Sequence, residues 1–278
     1  MAGQLYLVST PIGNMGDITV RALKTLRSVD LIVAEDSRNT RRLLSRYRIK
    51  TPLGNSYYQG VEDDRVEPIL SGLERGKDVA LVCDSGTPLI SDPGYPLVRE
   101  AVRRGIDVIP VPGPVAAISA LVASGLPTDH FAFDGMIPRK KGDREAYLRS
   151  ISAEERTVIA YETPHRLVRT LQAIAEILPS RRITVARELT KLHEEYLRGK
   201  AEEILLNLLS RDEVKGEYVL VIEGREKGKQ GRPLSPELVR ELITLLDGEG
   251  ITAKTSVKIL AICLNLPRNE AYRLVHSR

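Results

Sequence analysis

Short apolar runs punctuate the first part of this chain. They fall at residues 4–9, 31–34, 78–83 and 107–111 (the third reads DVALVC), and each is brief and bounded by polar or turn-forming positions. Runs of that length predict buried strands. Between them apolar residues recur at helical spacing. Ile18, Ala22, Leu23 and Leu26 share one face, with Asp17 placed to cap the helix. Further helices are predicted over 39–47, 61–75 and 95–104. Strands alternating with helices predict a parallel sheet covered on both faces.

At Pro112-Gly113-Pro114 the pattern breaks, and a small-residue helix follows over 115–124. Beyond it strands are predicted at 131–135, 157–161, 182–188, 194–199 and 217–223, with helices at 143–151, 164–178 and 201–209. The last strands have short connections, so part of this second sheet should be antiparallel. Residues 224–233, GREKGKQGRP, are charged and glycine-rich with no apolar period, which reads as a linker. Three short helical patterns close the chain. The expected organisation is an α/β domain over 1–113, a second over 114–224, a linker over 225–233 and a helical module over 234–278.

Composition narrows the function classes. Of 278 residues 42% are hydrophobic but only 4% aromatic, with no Trp. The core must be aliphatic, and a surface that reads single-stranded bases mainly by stacking is disfavoured. The net charge of +4 is modest, so clustering matters more. Residues 36–50 carry six cations against one Asp, and 139–144 carry four against one. In the first segment Arg38, Arg42 and Arg46 repeat at helical spacing with Arg41 beside them; in the second stand Arg139, Lys140 and Lys141. Either could meet phosphate or simply be a solvated face. Cys83 and Cys263 each sit in an apolar run and read as small buried hydrophobes. No Cys/His spacing suggests a metal. The N-terminus lacks a cationic signal-peptide region, and the longest apolar stretch, 115–126, is too short to span a membrane, so a cytoplasmic protein is expected.

Three loops after predicted strands are unusual: STPIGNMGD from Ser9, EDSR from Glu35, and DSGTPLISDPG from Asp84. Ligands of open α/β sheets bind beyond such strand ends. The first loop is not GxGxxG, so an ordinary dinucleotide site is not supported. Asp84-Ser85-Gly86-Thr87 also matches an aspartic-protease signature. That chemistry needs two carboxylates sharing a proton, and the chain has one copy in a βα setting. Glu35, Asp36 and Arg38 read equally as a capped helix start and as part of a site. His165 reads first as a helix-start surface residue, and His193 and His276 have no triad context.

Taken in order, LYLVSTPIGNMGDITVRAL, DLIVAEDSRNTRRLL, VCDSGTPLISDPGYPLV, VPVPGPVAAISALVASGLP, YETPHRL, VARELTKLHEEYLRG and GEYVLVIEG resemble the ribosomal RNA small-subunit methyltransferase I family. These are the 16S rRNA (cytidine(1402)-2′-O)-methyltransferases of the tetrapyrrole methylase superfamily. The resemblance implies two α/β domains of class III methyltransferase type, S-adenosylmethionine in the cleft between them, no metal, a homodimer, and 16S rRNA of the small ribosomal subunit as partner. By motif it implies donor contacts from Pro11 and Ile12, from Ser85, Gly86, Thr87 and Ile90, from Val115 and Ala116, and from Glu162 and Leu189. Ser85, Thr87, Glu162 and Leu189 depart from the tetrapyrrole-methylating pattern, which argues against a tetrapyrrole substrate. A ribose hydroxyl is a poor nucleophile and needs help losing its proton. Glu35 is the candidate base, with Asp36 and Arg38 beside it. Arg38, Arg41, Arg42, Arg46, Arg139, Lys140 and Lys141 then become the expected RNA contacts. A small-molecule methylase of the same fold and a non-catalytic RNA-binding protein are the competing readings.

Overall fold

Four strands make the first sheet: β1 (Leu5–Val8), β2 (Leu31–Ala34), β3 (Val79–Val82) and β4 (Val108–Val111). They are all parallel, in the order β2-β3-β1-β4. Their side chains alternate between two cores, as the strand period of two requires. Val8, Ile32, Ala34, Ala80, Val82 and Val111 face one way. There they meet α1 (Val20–Ser28) and α2 (Ser37–Arg46). Leu5, Val33, Val79 and Leu81 face the other way, against α3 (Glu62–Glu74) and α4 (Tyr95–Arg103). Because β1 sits between β3 and β4, the loops leaving these three strands emerge side by side at one sheet edge.

The computed structural model describes residues 2–54, 56–58, 62–225, 236–263 and 268–276. After β4, α5 (Ala116–Ser124) leads into a five-stranded mixed sheet. Its strands are β5 (Phe131–Met136), β6 (Thr157–Glu162), β7 (Arg182–Arg187), β8 (Glu195–Lys200) and β9 (Tyr218–Ile222), in the order β5-β6-β9-β7-β8. Only β5 and β6 run parallel; the other neighbours are antiparallel. One face packs α6 (Lys141–Ser150), α7 (Pro164–Ile177) and α8 (Ala201–Leu209). The opposite face gathers Ile159, Ala186, Val219 and Val221 around Ala117, Ala120 and Leu121 of α5. Ile12, from the loop after β1, and Leu189, from the loop after β7, complete that second core. An apolar side chain of the first half is thereby built into the second.

The expected cap of α1 is corrected. Thr19 caps it, its Oγ1 accepting from the Ala22 amide at 3.0 Å. Asp17 instead ends a short 3₁₀ turn (Met15–Asp17) capped by Asn14. The chain is extended at Ile18 and Thr19, so Asp17 lies too far upstream to reach the helix amides. Both sheets belong to one compact unit, Met1–Arg225. A second unit, Glu226–Arg278, contains α9 (Pro236–Gly248), α10 (Ala253–Cys263) and α11 (Arg268–His276), with Val257, Leu260, Ala271 and Val275 as its core. Residues 226–233 of the expected linker, and the side chain of Cys263, lie outside the described residues.

Candidate functional site

The loops after β1, β3 and β4 are stitched together by short-range bonds. The Thr10 amide donates to the Gly86 carbonyl at 2.7 Å and the Gly86 amide returns to Thr10 at 3.1 Å. The Thr87 hydroxyl donates to the Pro114 carbonyl at 3.1 Å, which leaves the Ser9 hydroxyl to donate to Thr87 at 2.8 Å. Gly86 is buried with φ +86, a left-handed conformation that favours glycine. A Cβ there would come within 3.3 Å of Ile12 and 3.6 Å of the Pro114 carbonyl. Three strand ends thus form one rigid ledge of closely approached backbone.

A cavity of about 350 Å³ opens above that ledge. The first loop gives it Ile12; the β3 loop gives Ser85, Gly86, Thr87 and Ile90. Val115 and Ala116 come from the start of α5, Glu162 from the end of β6, and Leu189 from the loop after β7. Of the residues the sequence motifs nominate for the donor, only Pro11 is elsewhere: it lines a neighbouring cavity. Sequence reasoning missed Ser91 and Asp92, Met136 of β5, Tyr161 of β6 and Tyr218 of β9, all in the same wall. Asp92 had a signal, since it lies in the DSGTPLISDPG string. So did Ser91, in the same string, and Tyr161 and Tyr218 lie in YETPHRL and GEYVLVIEG; Met136 reaches the cavity only through tertiary topology.

Glu162 is fully buried as a side chain and already engaged. It accepts from the Thr163 amide at 2.7 Å and the Thr170 hydroxyl at 2.6 Å, and pairs with Arg166 at 2.6 Å. Its carboxylate therefore anchors the first turns of α7 and forms wall to the cavity.

Acidic groups collect at the edge of the first sheet. Asp84 accepts from the Asp36 amide at 3.0 Å and from the Asn39 side chain at 2.8 Å, tying the β3 loop to α2. Burial foremost pushes the Asp92 carboxyl up, a hydrogen bond with Cys83 opposes this, and the charge of Asp84 adds to the rise. The buried Cys83 thiol is itself pushed far up, mainly by desolvation. Glu35 lies at the end of β2, half-buried, with the Asp84 amide 3.4 Å from its carboxylate. Its carboxyl is raised by burial first, held back by that amide, and raised further by Asp92, Asp84 and Asp36. Glu35 is in the wall of neither cavity.

Asp36 is the N-cap of α2: it accepts from the Arg38 amide at 2.8 Å and pairs with the Arg38 guanidinium at 2.7 Å. These bonds bring its carboxyl down to about 2. Leu43 and Leu44 bury one face of α2, while Arg38, Arg41, Arg42 and Arg46 are exposed on the rest. Arg42 lines the second cavity, which is about 430 Å³. Arg139, Lys140 and Lys141 are exposed at the start of α6. They follow β5, whose Met136 lines the first cavity. His165 is exposed. Among the described residues no cluster of His, Cys, Asp or Glu is arranged to hold a metal, and no helix is long and apolar enough to cross a membrane.

A parallel sheet feeding a mixed one, with the cavity at their shared edge, is the architecture of the tetrapyrrole methylase class, and residues 4–205 match the family described as Tetrapyrrole (Corrin/Porphyrin) Methylases. The fold is shared with solved structures. The uroporphyrin-III C-methyl transferase of Thermus thermophilus, complexed with S-adenyl homocysteine, superposes with a TM-score of 0.55 at 17% identity, over 80% of this chain and 97% of that one. The methyltransferase CobJ gives 0.60 at 19% identity, over 81% and 95%. Nearer relatives are more specific. A ribosomal RNA small subunit methyltransferase I from Synechocystis is 44% identical, covering 98% of this chain and 97% of that protein. One of the same name from Thermotoga maritima is 49% identical, covering 81% of this chain and 100% of that protein. The chain belongs to the ribosomal RNA small subunit methyltransferase I family.

Proposed function

We propose that this protein transfers a methyl group from S-adenosylmethionine to the 2′-hydroxyl of the family's cytidine, 1402, in 16S rRNA of the small subunit, in the cytoplasm and as a homodimer. The observation that carries the reading is the likeness to rRNA small subunit methyltransferases along nearly the whole chain. The cavity above the β1, β3 and β4 loops supports it. Its walls suit the donor: aliphatic surface from Ile12, Val115 and Leu189 for a purine, bare backbone at Gly86 for close approach, and the Asp92 carboxylate for a cationic end.

When bound, the donor supplies a methyl already activated by a positive sulfur. The protein's task is then to hold and align. Backbone from Ser85 to Thr87 is fixed by the Ser9–Thr87–Pro114 chain of hydroxyl bonds, so the ledge does not yield when loaded. Glu35 is the proposed proton acceptor, beside Asp84 of the second cavity's wall. Asp36 and Arg38 hold the loop that carries it. The exposed arginines of α2, with Arg139, Lys140 and Lys141, supply phosphate contacts that position the RNA.

A small-molecule methylase would use the same donor cavity. Against that reading, Glu162 is spent on Arg166 and Thr170, and a cationic helix borders the second cavity. Titrating the protein with S-adenosylmethionine by calorimetry tests the enzyme reading. Saturable binding, with Gly86→Val weaker by about tenfold or more for loss of a close backbone approach, is expected. No binding by the wild type would leave only an RNA-binding protein.

A further inference from the structure

The second cavity shares Ile12, Ser85 and Glu217 with the donor cavity, so the two adjoin along those residues. Two cations face it from different halves of the fold: Arg42 from α2, and Lys191 from the loop joining β7 to β8. Lys191 is held unusually well for a lysine. Its Cγ packs where a Cβ on Gly13 would come within 2.6 Å, so the loop after β1 has room for its stem only because residue 13 is glycine. Glu188 and Thr190 beside it take left-handed backbone conformations, φ 51 and 65, without being glycine. Such strain persists where the surroundings fix it, and it gathers at functional loops. Here the Asn14 amide donates to the Thr190 hydroxyl at 3.0 Å, pinning the loop to the first half.

The ammonium of Lys191 is 3.0 Å from Glu188 and 3.1 Å from Glu217. An ammonium has three N–H donors, and its third has no partner among the described residues. The side chain is 28% exposed, which leaves it open to the cavity. The ligand must therefore offer an oxygen to Lys191 and negative charge to Arg42. Asp84 and Glu217 in the same wall disfavour a free polyanion and suit a ligand that also carries donors. A ribonucleotide combines these features, and the cavity's volume is within the range of small-molecule sites, roughly 300–1,000 Å³.

We infer that the second cavity receives the nucleotide to be methylated, with Lys191 donating to its sugar oxygens beside the donor and Arg42 meeting its phosphate. This rests on the reading of the chain as an RNA methyltransferase and gives that activity its acceptor site. Lys191 then holds the acceptor hydroxyl in line, which affects the reaction and leaves donor binding alone.

The test uses the full chain with Lys191→Met, Lys191→Arg and Arg42→Ala, and small subunits lacking the modification. Donor affinity by calorimetry should stay within about twofold of wild type in all three. Lys191→Met should lose about 10- to 100-fold in single-turnover methylation, the worth of one charge-assisted hydrogen bond, and Lys191→Arg should recover part of it. Arg42→Ala should weaken subunit binding and flatten its salt dependence by about one phosphate contact. If both Lys191→Met and Arg42→Ala keep wild-type rates and subunit affinity, the acceptor site is elsewhere and the methyltransferase reading stands. Wild-type protein that binds donor yet labels no subunit overturns that reading and the site with it. Should Lys191→Met not fold, Arg42→Ala decides, and an unchanged salt dependence overturns the inference.

Discussion

Glu162 and Glu35 are both acidic residues at strand ends, and their surroundings set them apart. Glu162 has every oxygen satisfied by Thr163, Thr170 and Arg166. Removing one partner of a buried ion pair strands the other, at a cost of about 3–5 kcal/mol. Glu162→Ala should lower the unfolding free energy by about that much in a denaturant titration; a loss under 1 kcal/mol would show the pair to be slack. Glu35 has a raised carboxyl, so the folded protein holds its proton more tightly than the unfolded chain. Stability from this group is full below the ordinary value of 4.5 and falls as pH rises through the raised value. Glu35→Gln should therefore melt higher than wild type at pH 7 and match it near pH 4. The same variant should bind donor normally and lose single-turnover methylation; normal methylation would remove Glu35 from the chemistry.

At the scale of elements, the four strands of the first sheet were readable because each is a brief apolar run whose alternate residues enter separate cores; in the second sheet β6 and β9 have that character, whereas β8, EYLRGK, is largely polar and only partly buried. Helix boundaries were less readable. The start of α2 at Ser37 depends on Asp36 turning back to the Arg38 amide, a local bond that periodicity does not register. The donor ledge was legible by motif, since its residues lie within two or three contiguous strings. Lys191, Asp92, Tyr161 and Tyr218 lie in quoted strings too, but the motifs did not single them out, because separate strands and loops of both sheets bring them to the cavities. The cationic segment at the start of α6 is proposed as an RNA contact. Neutralising Arg139, Lys140 and Lys141 together should weaken subunit binding and reduce its salt dependence, with donor affinity unchanged. Equal loss of both would indicate damage to the fold.

Across the whole molecule, the parallel sheet provides the ledge and the mixed sheet provides the far wall. Ile12 locks the two through the core of the second sheet. The DSGTP loop that resembles a protease signature is, in this setting, a strap between strand ends: Asp84 holds α2, Gly86 holds Thr10, and Thr87 holds Pro114. The Asp84 carboxylate of that signature accepts from the Asp36 amide and the Asn39 side chain, a structural task. We propose that this architecture places a methyl on a ribose of small-subunit RNA. The most direct test is to incubate the protein and isotope-labelled S-adenosylmethionine with small subunits lacking the modification, then map the label by mass spectrometry of RNA fragments. One labelled ribose is expected, on the 2′-oxygen of cytidine 1402; label on a base, or none on RNA while the donor is bound, would overturn the proposed activity.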